Sequence, residues 1–307
     1  MRVVIAGGTG LIGRALTRAL IRDGHAVAVL TRRPTGRMAD SGATLVPWDG
    51  RTGKGWVPAL DGADSLVNLA GENIASGLWT RSRKARILDS RLAAGQACLE
   101  AISRVERRPA SLIQASAVGY YGDRGETALT EDAAPGRGFL ADVASRWEAS
   151  TAEAENMGVR RVVVRTAVVL ARKGGALPRM LPAFRLGLGG PLGSGRQYFP
   201  WIHLADEVGA IRFLMAQPGA SGVFNLAAPE TVTQRDWARA LGRAVGRPAW
   251  LPLPATLLRL ALGAMGQELF LSGARVVPRK LLDLGFGFHF PNLVGALRDL
   301  CAKRGDA

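Results

Sequence analysis

At 307 residues, 48% apolar and 21% charged, the chain is long enough to bury a sizeable core and too apolar to be disordered. Its formal charge of +15 comes without a dense Lys/Arg run or zinc-finger spacing, which argues against a nucleic-acid partner and for a few arginines set against phosphates. Two cysteines (Cys98, Cys301) and three histidines (His25, His203, His289) exclude a disulfide framework and supply no metal cluster.

Val3–Ala6 reads as a buried strand, too short to be the apolar centre of a secretion signal. With two thiols expected to be buried and reduced, this points to a cytoplasmic protein. A helix from Leu11 to Asp23 follows and stops at Gly24. Ala26–Leu30, Ala43–Val46, Ser65–Leu69, Ser111–Ala115 and Arg161–Val164 read as further strands. Helices are expected over Arg83–Val105 and Ala141–Met157. Strands alternating with helices at this spacing predict an α/β fold, a doubly wound parallel sheet of the Rossmann type.

After Ala171 the pattern changes. Leu186 to Gly195 is too glycine-rich for regular structure and reads as a loop that brings backbone close to a ligand. From Trp201 onward short helices dominate, over Asp206–Ala216, Gln234–Val245, Pro254–Met265 and Asn292–Ala302. Leu251–Met265 is the most apolar of these stretches. Its prolines, Arg259 and short length predict a packed helix and no membrane partner. The expected division is a nucleotide-binding domain over 1–170 and a small, mostly helical C-terminal cap over 171–307.

The most informative motif is Gly7-Gly8-Thr9-Gly10-Leu11-Ile12-Gly13, set between the first strand and the first helix. Gly7 permits the tight turn, Gly10 clears a side chain from where backbone meets pyrophosphate, and Gly13 lets the helix approach the sheet. The first turn of the helix then offers free N–H groups and the positive end of its dipole to phosphate. At the end of the second strand an acidic residue would bind the ribose hydroxyl of NAD, but this chain has Thr31-Arg32-Arg33. A guanidinium there can pair with a 2′-phosphate, so the cofactor expected is NADP(H). Small residues at Leu69-Ala70-Gly71 let the cofactor run along the sheet edge. Arg91, which interrupts an apolar helix face, is a further candidate phosphate contact.

These residues resemble the short-chain dehydrogenase/reductase superfamily in its extended, epimerase-like form. The resemblance is strongest to an atypical subgroup called epimerase family proteins. It is carried by Gly7–Gly13, Asn68–Ile74, Ser116–Gly122, Arg165, Phe184–Gln197 and Trp201–His203, and by a C-terminal segment at about 250–300. It implies a cofactor site touching Thr31, Arg32, Leu69, Ala70, Arg91 and Arg165. The superfamily works with a Ser, a Tyr and a Lys, the last two as Tyr-x-x-x-Lys. None of Tyr120, Tyr121 and Tyr198 has a lysine four residues on, and the three positions fall on Ala117, Leu140 and Ala144.

Two readings follow. In one, the protein is an oxidoreductase or epimerase-like enzyme with a relocated acid/base, drawn from Tyr121, Tyr198, His203 and Glu72. His203 is also read as a structural hydrogen-bonding residue, with Asp206 as its partner or as a helix cap. By analogy with extended relatives, Arg196 would grip an anionic or phosphorylated small-molecule substrate. Glu72 is a second candidate for the substrate. In the other, the chain binds NADP(H) without turnover, as a redox-sensing or interaction module. Neither reading fixes an oligomeric state.

Overall fold

The computed structural model describes residues 1–34 and 42–302. β1 (Arg2–Ala6) is an apolar run buried over its last four residues, as a strand inside a parallel sheet must be. α1 (Leu11–Arg22) buries Leu16, Ala19 and Leu20 on one stripe and ends at Gly24, which takes the left-handed conformation. β2 (Ala26–Thr31), β3 (Thr44–Pro47), the single turn α2 (Val57–Leu60) and β4 (Ser65–Asn68) follow. The long α3 (Arg81–Arg104) is capped by Thr80, whose hydroxyl accepts from the Arg83 amide, and leads to β5 (Ser111–Ala117).

The remaining elements are β6 (Ala128–Leu129), α4 (Phe139–Ala149), β7 (Arg160–Thr166), β8 (Val168–Leu170), α5 (Leu177–Arg185), β9 (Trp201–His203), α6 (Leu204–Ala216) and β10 (Gly222–Leu226). After them come α7 (Gln234–Ala244), α8 (Ala255–Leu262), α9 (Ala264–Gly266), β11 (Arg275–Val276), α10 (Arg279–Asp283) and α11 (Leu293–Cys301). α4 is shorter than the expected 141–157 helix and gives way to a 3-10 turn at Ala152–Ala154.

Seven strands form one sheet in the order β10-β7-β5-β4-β1-β2-β3. The β3–β2, β2–β1, β1–β4 and β4–β5 pairings are parallel, with Ile5 level with Val29 and Val67. The order reverses at β1, which has β2 on one side and β4 on the other. In open α/β sheets that reversal opens a crevice at the carboxyl ends of the strands. The doubly wound α/β class expected from the sequence is therefore observed, with helices rich in the C-terminal region. Its seventh strand, Gly222–Leu226, lies in a stretch expected to be helix and loop.

The chain forms two compact units, and they do not divide near residue 170. One comprises Met1–Ala117, Val143–Arg165 and Val208–Phe224; the other comprises Val118–Asp142, Thr166–Glu207 and the chain from Asn225 onward. The single cut expected from the sequence fails because β10, late in the chain, joins the sheet begun by β1. The core of the first unit gathers Trp56, Leu60, Leu66, Ile102 and Leu112 around Cys98, whose thiol is pushed up to about 12 by burial. The second unit has its own core, built on Trp201, Trp237, Leu241 and Leu297.

In the second unit the run Leu186–Gly195 packs on this chain's own backbone. A side chain on Gly190 would strike the Leu251 carbonyl, and one on Gly189 would lie 2.5 Å from the Phe184 ring. The Gly193 amide donates to the Leu253 carbonyl (2.8 Å), and the Leu253 amide donates to the Pro191 carbonyl (2.9 Å). The close approach that the glycines allow is thus to residues 251–253, where a ligand was expected.

Candidate dinucleotide site

The first unit brings the glycine motif together as a turn that only glycine can form. Gly7 has φ +79°, and a Cβ on it would sit 2.7 Å from the Leu69 carbonyl carbon. One on Gly13 would sit 2.6 Å from Gly8 Cα and against the Gly7 carbonyl. The Gly10 amide closes the turn onto the Gly7 carbonyl at 3.0 Å. Gly10 is also the N-cap of α1, with no side-chain cap and no acidic residue in the first turn. Thr9 and Gly10 are exposed and Leu11 and Ile12 half-buried, so the orphan donors of this helix turn face an open surface. A Cβ on Gly10 would meet only the Gly7 carbonyl, at 3.2 Å. This arrangement fits an anion held by backbone N–H groups.

Thr31 ends β2 buried, and its hydroxyl accepts from the Arg33 amide at 3.1 Å. That small turn leaves Arg32 exposed, its Cδ lying over Gly50. No described residue pairs with the Arg32 guanidinium. Asp49 is a turn residue: its carboxylate accepts from the amides of Arg51 and Thr52 and from the Thr52 hydroxyl, which together hold its pKa low.

Where β4 ends, the buried Asn68 side chain donates to Gln114 Oε1 on β5 (3.0 Å) and accepts from the Ala70 amide (3.2 Å). This pair fixes the path of Leu69-Ala70-Gly71 against the glycine turn. Arg91 lies under that path, 3.1 Å from where a Gly71 Cβ would be. Its Nη1 donates to the carbonyls of Ile87 (2.8 Å) and Glu72 (3.0 Å), and its guanidinium stacks 4.7 Å from the Trp147 ring. Burial lowers its pKa to about 10, partly offset by the Glu72 charge. Glu72 is itself paired with Arg83 at 2.6 Å. These two candidates therefore brace the segment after β4.

The third cluster stands where β5 and β7 end. Arg165, 3% exposed, makes a two-pronged pair with Glu148: Nε to Oε1 at 2.8 Å and Nη2 to Oε2 at 2.9 Å. Ser116 donates to the same Oε1 at 2.6 Å. The sequence reading passed over Glu148; its only signal is an acid directly after Trp147 in a helix with a buried face. Arg165, expected beside the cofactor, is here committed to that carboxylate. Ala144, at the usual lysine position, is buried, while Ala117 and Leu140 are half-buried.

The second unit holds the other candidates. Tyr121 has no exposed surface; its hydroxyl lies 2.7 Å from Asn225 Oδ1 and 3.1 Å from the Thr130 carbonyl, and its ring meets Tyr120 edge-on. It packs a core and reaches no open surface, against the expectation of an acid/base there. Tyr198 is half-buried, bridged through its backbone to Thr233 and covered by Arg275 at 5.8 Å. His203 is buried against Phe290, accepts from the Ala205 amide at 3.0 Å and contacts Asp299 at 3.3 Å. Burial holds its pKa down, opposed by Asp299. Asp206, the partner expected for it, instead accepts from the amides of His289 and Phe290. Arg196 is exposed on the 186–197 loop.

A parallel sheet that reverses at β1, with a glycine-rich turn and uncapped helix at that reversal, defines a dinucleotide-binding protein of the Rossmann class. The chain belongs to the NAD dependent epimerase/dehydratase family, which matches residues 3–227, and residues 253–300 match the domain of unknown function DUF1731. It is 42% identical over 295 residues to the epimerase family protein Mb2239 of Mycobacterium bovis, covering 96% of each chain. A crystal structure of human epimerase family protein SDR39U1 (isoform 2) with NADPH is similar at TM-score 0.87 and 36% identity, over 98% of this chain and 99% of that one. A nucleoside-diphosphate sugar epimerase from Corynebacterium glutamicum is similar at TM-score 0.77 and 32% identity, over 97% of this chain and 57% of that one. The chain is thus an NAD(P)-binding, epimerase-like protein.

Proposed function

We propose that this protein binds NADP(H) in preference to NAD(H) and uses it on a small-molecule substrate carrying phosphate or another anionic group. The observation that carries the reading is the glycine turn at the head of α1, with the exposed Arg32 guanidinium, paired by no described residue, just past β2. Leu11–Gly13 would take the pyrophosphate on their amides, and Arg32 the 2′-phosphate. The NADPH in the human relative supports this choice, and the sugar-nucleotide activity in the C. glutamicum relative's description supports an anionic substrate. The cofactor, when bound, supplies hydride exchange at its nicotinamide. The protein's part is to hold it, through the braced 69–71 segment, and to meet the substrate's anion, for which Arg196 is the candidate.

A second reading, binding without turnover, is favoured by two observations: Tyr121 is sealed in a core, and alkyl side chains stand at the positions of the superfamily's Tyr and Lys. Fluorescence titration of nucleotide-free protein tests the first proposal. NADPH should bind more tightly than NADH, and Arg32→Ala should weaken NADPH by about tenfold or more while leaving NADH nearly unchanged. Equal loss for both coenzymes refutes the 2′-phosphate assignment. Oxidation of bound NADPH by any member of a carbonyl and sugar-nucleotide panel separates the enzyme from the binding module.

A further inference from the structure

The stretch 251–265, expected to pack as a helix, is the least covered apolar surface in the second unit. In α8 Leu258 is buried, while Leu257 and Leu260 are 52% and 87% exposed and Ala261 is also exposed. Positions i, i+3 and i+4 thus form an apolar stripe that faces solvent, the reverse of a surface helix in a soluble domain. The stripe does not stand alone. Trp250 is 70% exposed at the start of the segment leading into α8, and Leu186 and Leu188 are 73% and 61% exposed on the loop hydrogen-bonded to that segment through Pro191 and Gly193. Scattered exposed leucines are ordinary; exposed leucines and a tryptophan gathered on two hydrogen-bonded segments mark an interaction face.

The charges of the same segments identify the partner. Residues 172–205 carry five basic side chains and residues 237–267 carry four, and neither stretch contains an aspartate or glutamate. Arg185, Arg247 and Arg259 are exposed in the same segments. A second copy would bring one arginine-rimmed face against another of the same sign. A nucleic acid would satisfy the arginines but leave the leucines in water. An anionic bilayer satisfies both, taking the leucines and the indole at its interface and the guanidiniums at its headgroups. No helix among the described residues is long and apolar enough to cross a membrane, so such a contact would be peripheral.

We propose that α8, the 250–253 segment and the 186–188 loop form a docking face for an anionic lipid surface. Flotation with vesicles tests it. Wild-type protein should float with vesicles of equal parts phosphatidylcholine and phosphatidylglycerol, but not with phosphatidylcholine alone. Leu257→Glu/Leu260→Glu should cut the bound fraction on the order of tenfold while NADPH affinity, read on residues outside this face, stays unchanged. Should that variant fail to fold, Leu260→Ser provides the milder change, and brominated lipid should quench wild-type tryptophan emission more than that of Trp250→Phe. The proposal is overturned by absence of flotation, or by equal flotation of wild type and leucine variants, which would mean charge adsorption alone. It is overturned as well by a dimer in sedimentation velocity that Leu260→Ser dissociates, or by tight salt-sensitive binding to duplex DNA or to an acidic protein without lipid binding.

Discussion

Glu207 offers a prediction whose size follows from its surroundings. It is fully buried, its Oε1 accepts from the Thr166 hydroxyl at 2.8 Å, and its Oε2 has no partner among the described residues. Burial pushes its pKa from 4.5 to about 8, with the Thr166 bond working weakly the other way. The fold therefore favours the neutral acid, and folding takes up a proton between those two values. The stability this group confers is complete below pH 4.5 and is lost as pH rises toward 8. At about 1.4 kcal/mol per pH unit, the loss is about 3 kcal/mol at neutral pH and about 5 kcal/mol beyond the upper value. Glu207→Gln keeps the acceptor for Thr166 and removes the ionisation. Urea unfolding of wild type and variant at several pH values isolates the effect, because every other titration cancels in the difference. The two should be close in stability in acid, and the variant should gain steadily with pH. A difference that stays constant across that range refutes the reasoning.

Other substitutions test the site. Gly13→Ala places a methyl against backbone atoms of Gly7 and Gly8, which cannot swing aside. It should cost about 1–3 kcal/mol of stability and at least about tenfold in NADPH affinity by calorimetry; unchanged affinity would dismiss the cradle. Glu148→Ala leaves the Arg165 guanidinium buried without its carboxylate and should cost about 3–5 kcal/mol in chemical denaturation. Replacing both by Leu and Met should recover much of that loss, and failure to do so would show that the pair does more than neutralise. Tyr121→Phe removes the only donor described for Asn225 Oδ1 and should cost about 1–3 kcal/mol. NADPH affinity should not move, whereas loss of turnover at full stability would restore this tyrosine as an acid/base.

The first third of the fold could be read from the sequence because its signals are local. β1, α1 and β2 lie within a residue or so of their expected bounds, since apolar runs, a 3.6-residue stripe and glycine stops each act over a few residues. The glycine turn was legible for the same reason. What escaped depends on partners far along the chain. Residues 222–226 are a short apolar run until β7 lies beside them. Tyr121 reads as an available hydroxyl until Asn225, 104 residues on, accepts its hydrogen bond. Asp206 and Glu207, acids in a helix's first turn, are both fully buried, which nothing in the local sequence signals. The exposure of α8 failed in the opposite direction: an apolar sequence predicts burial but does not say that the rest of the chain provides a cover.

The late arrival of β10 has a practical consequence for anyone cutting this gene. A clone ending near residue 170, the division that the sequence suggests, would synthesise β7 without the neighbour on its outer side. It would also omit Val208–Phe224 from the first unit. The bare strand is then a template for pairing with other molecules, and such a fragment is expected to aggregate. The intact polypeptide passes through the same condition on the ribosome, for several seconds at about 5–20 residues per second. Chaperone supply during synthesis should therefore raise its soluble yield.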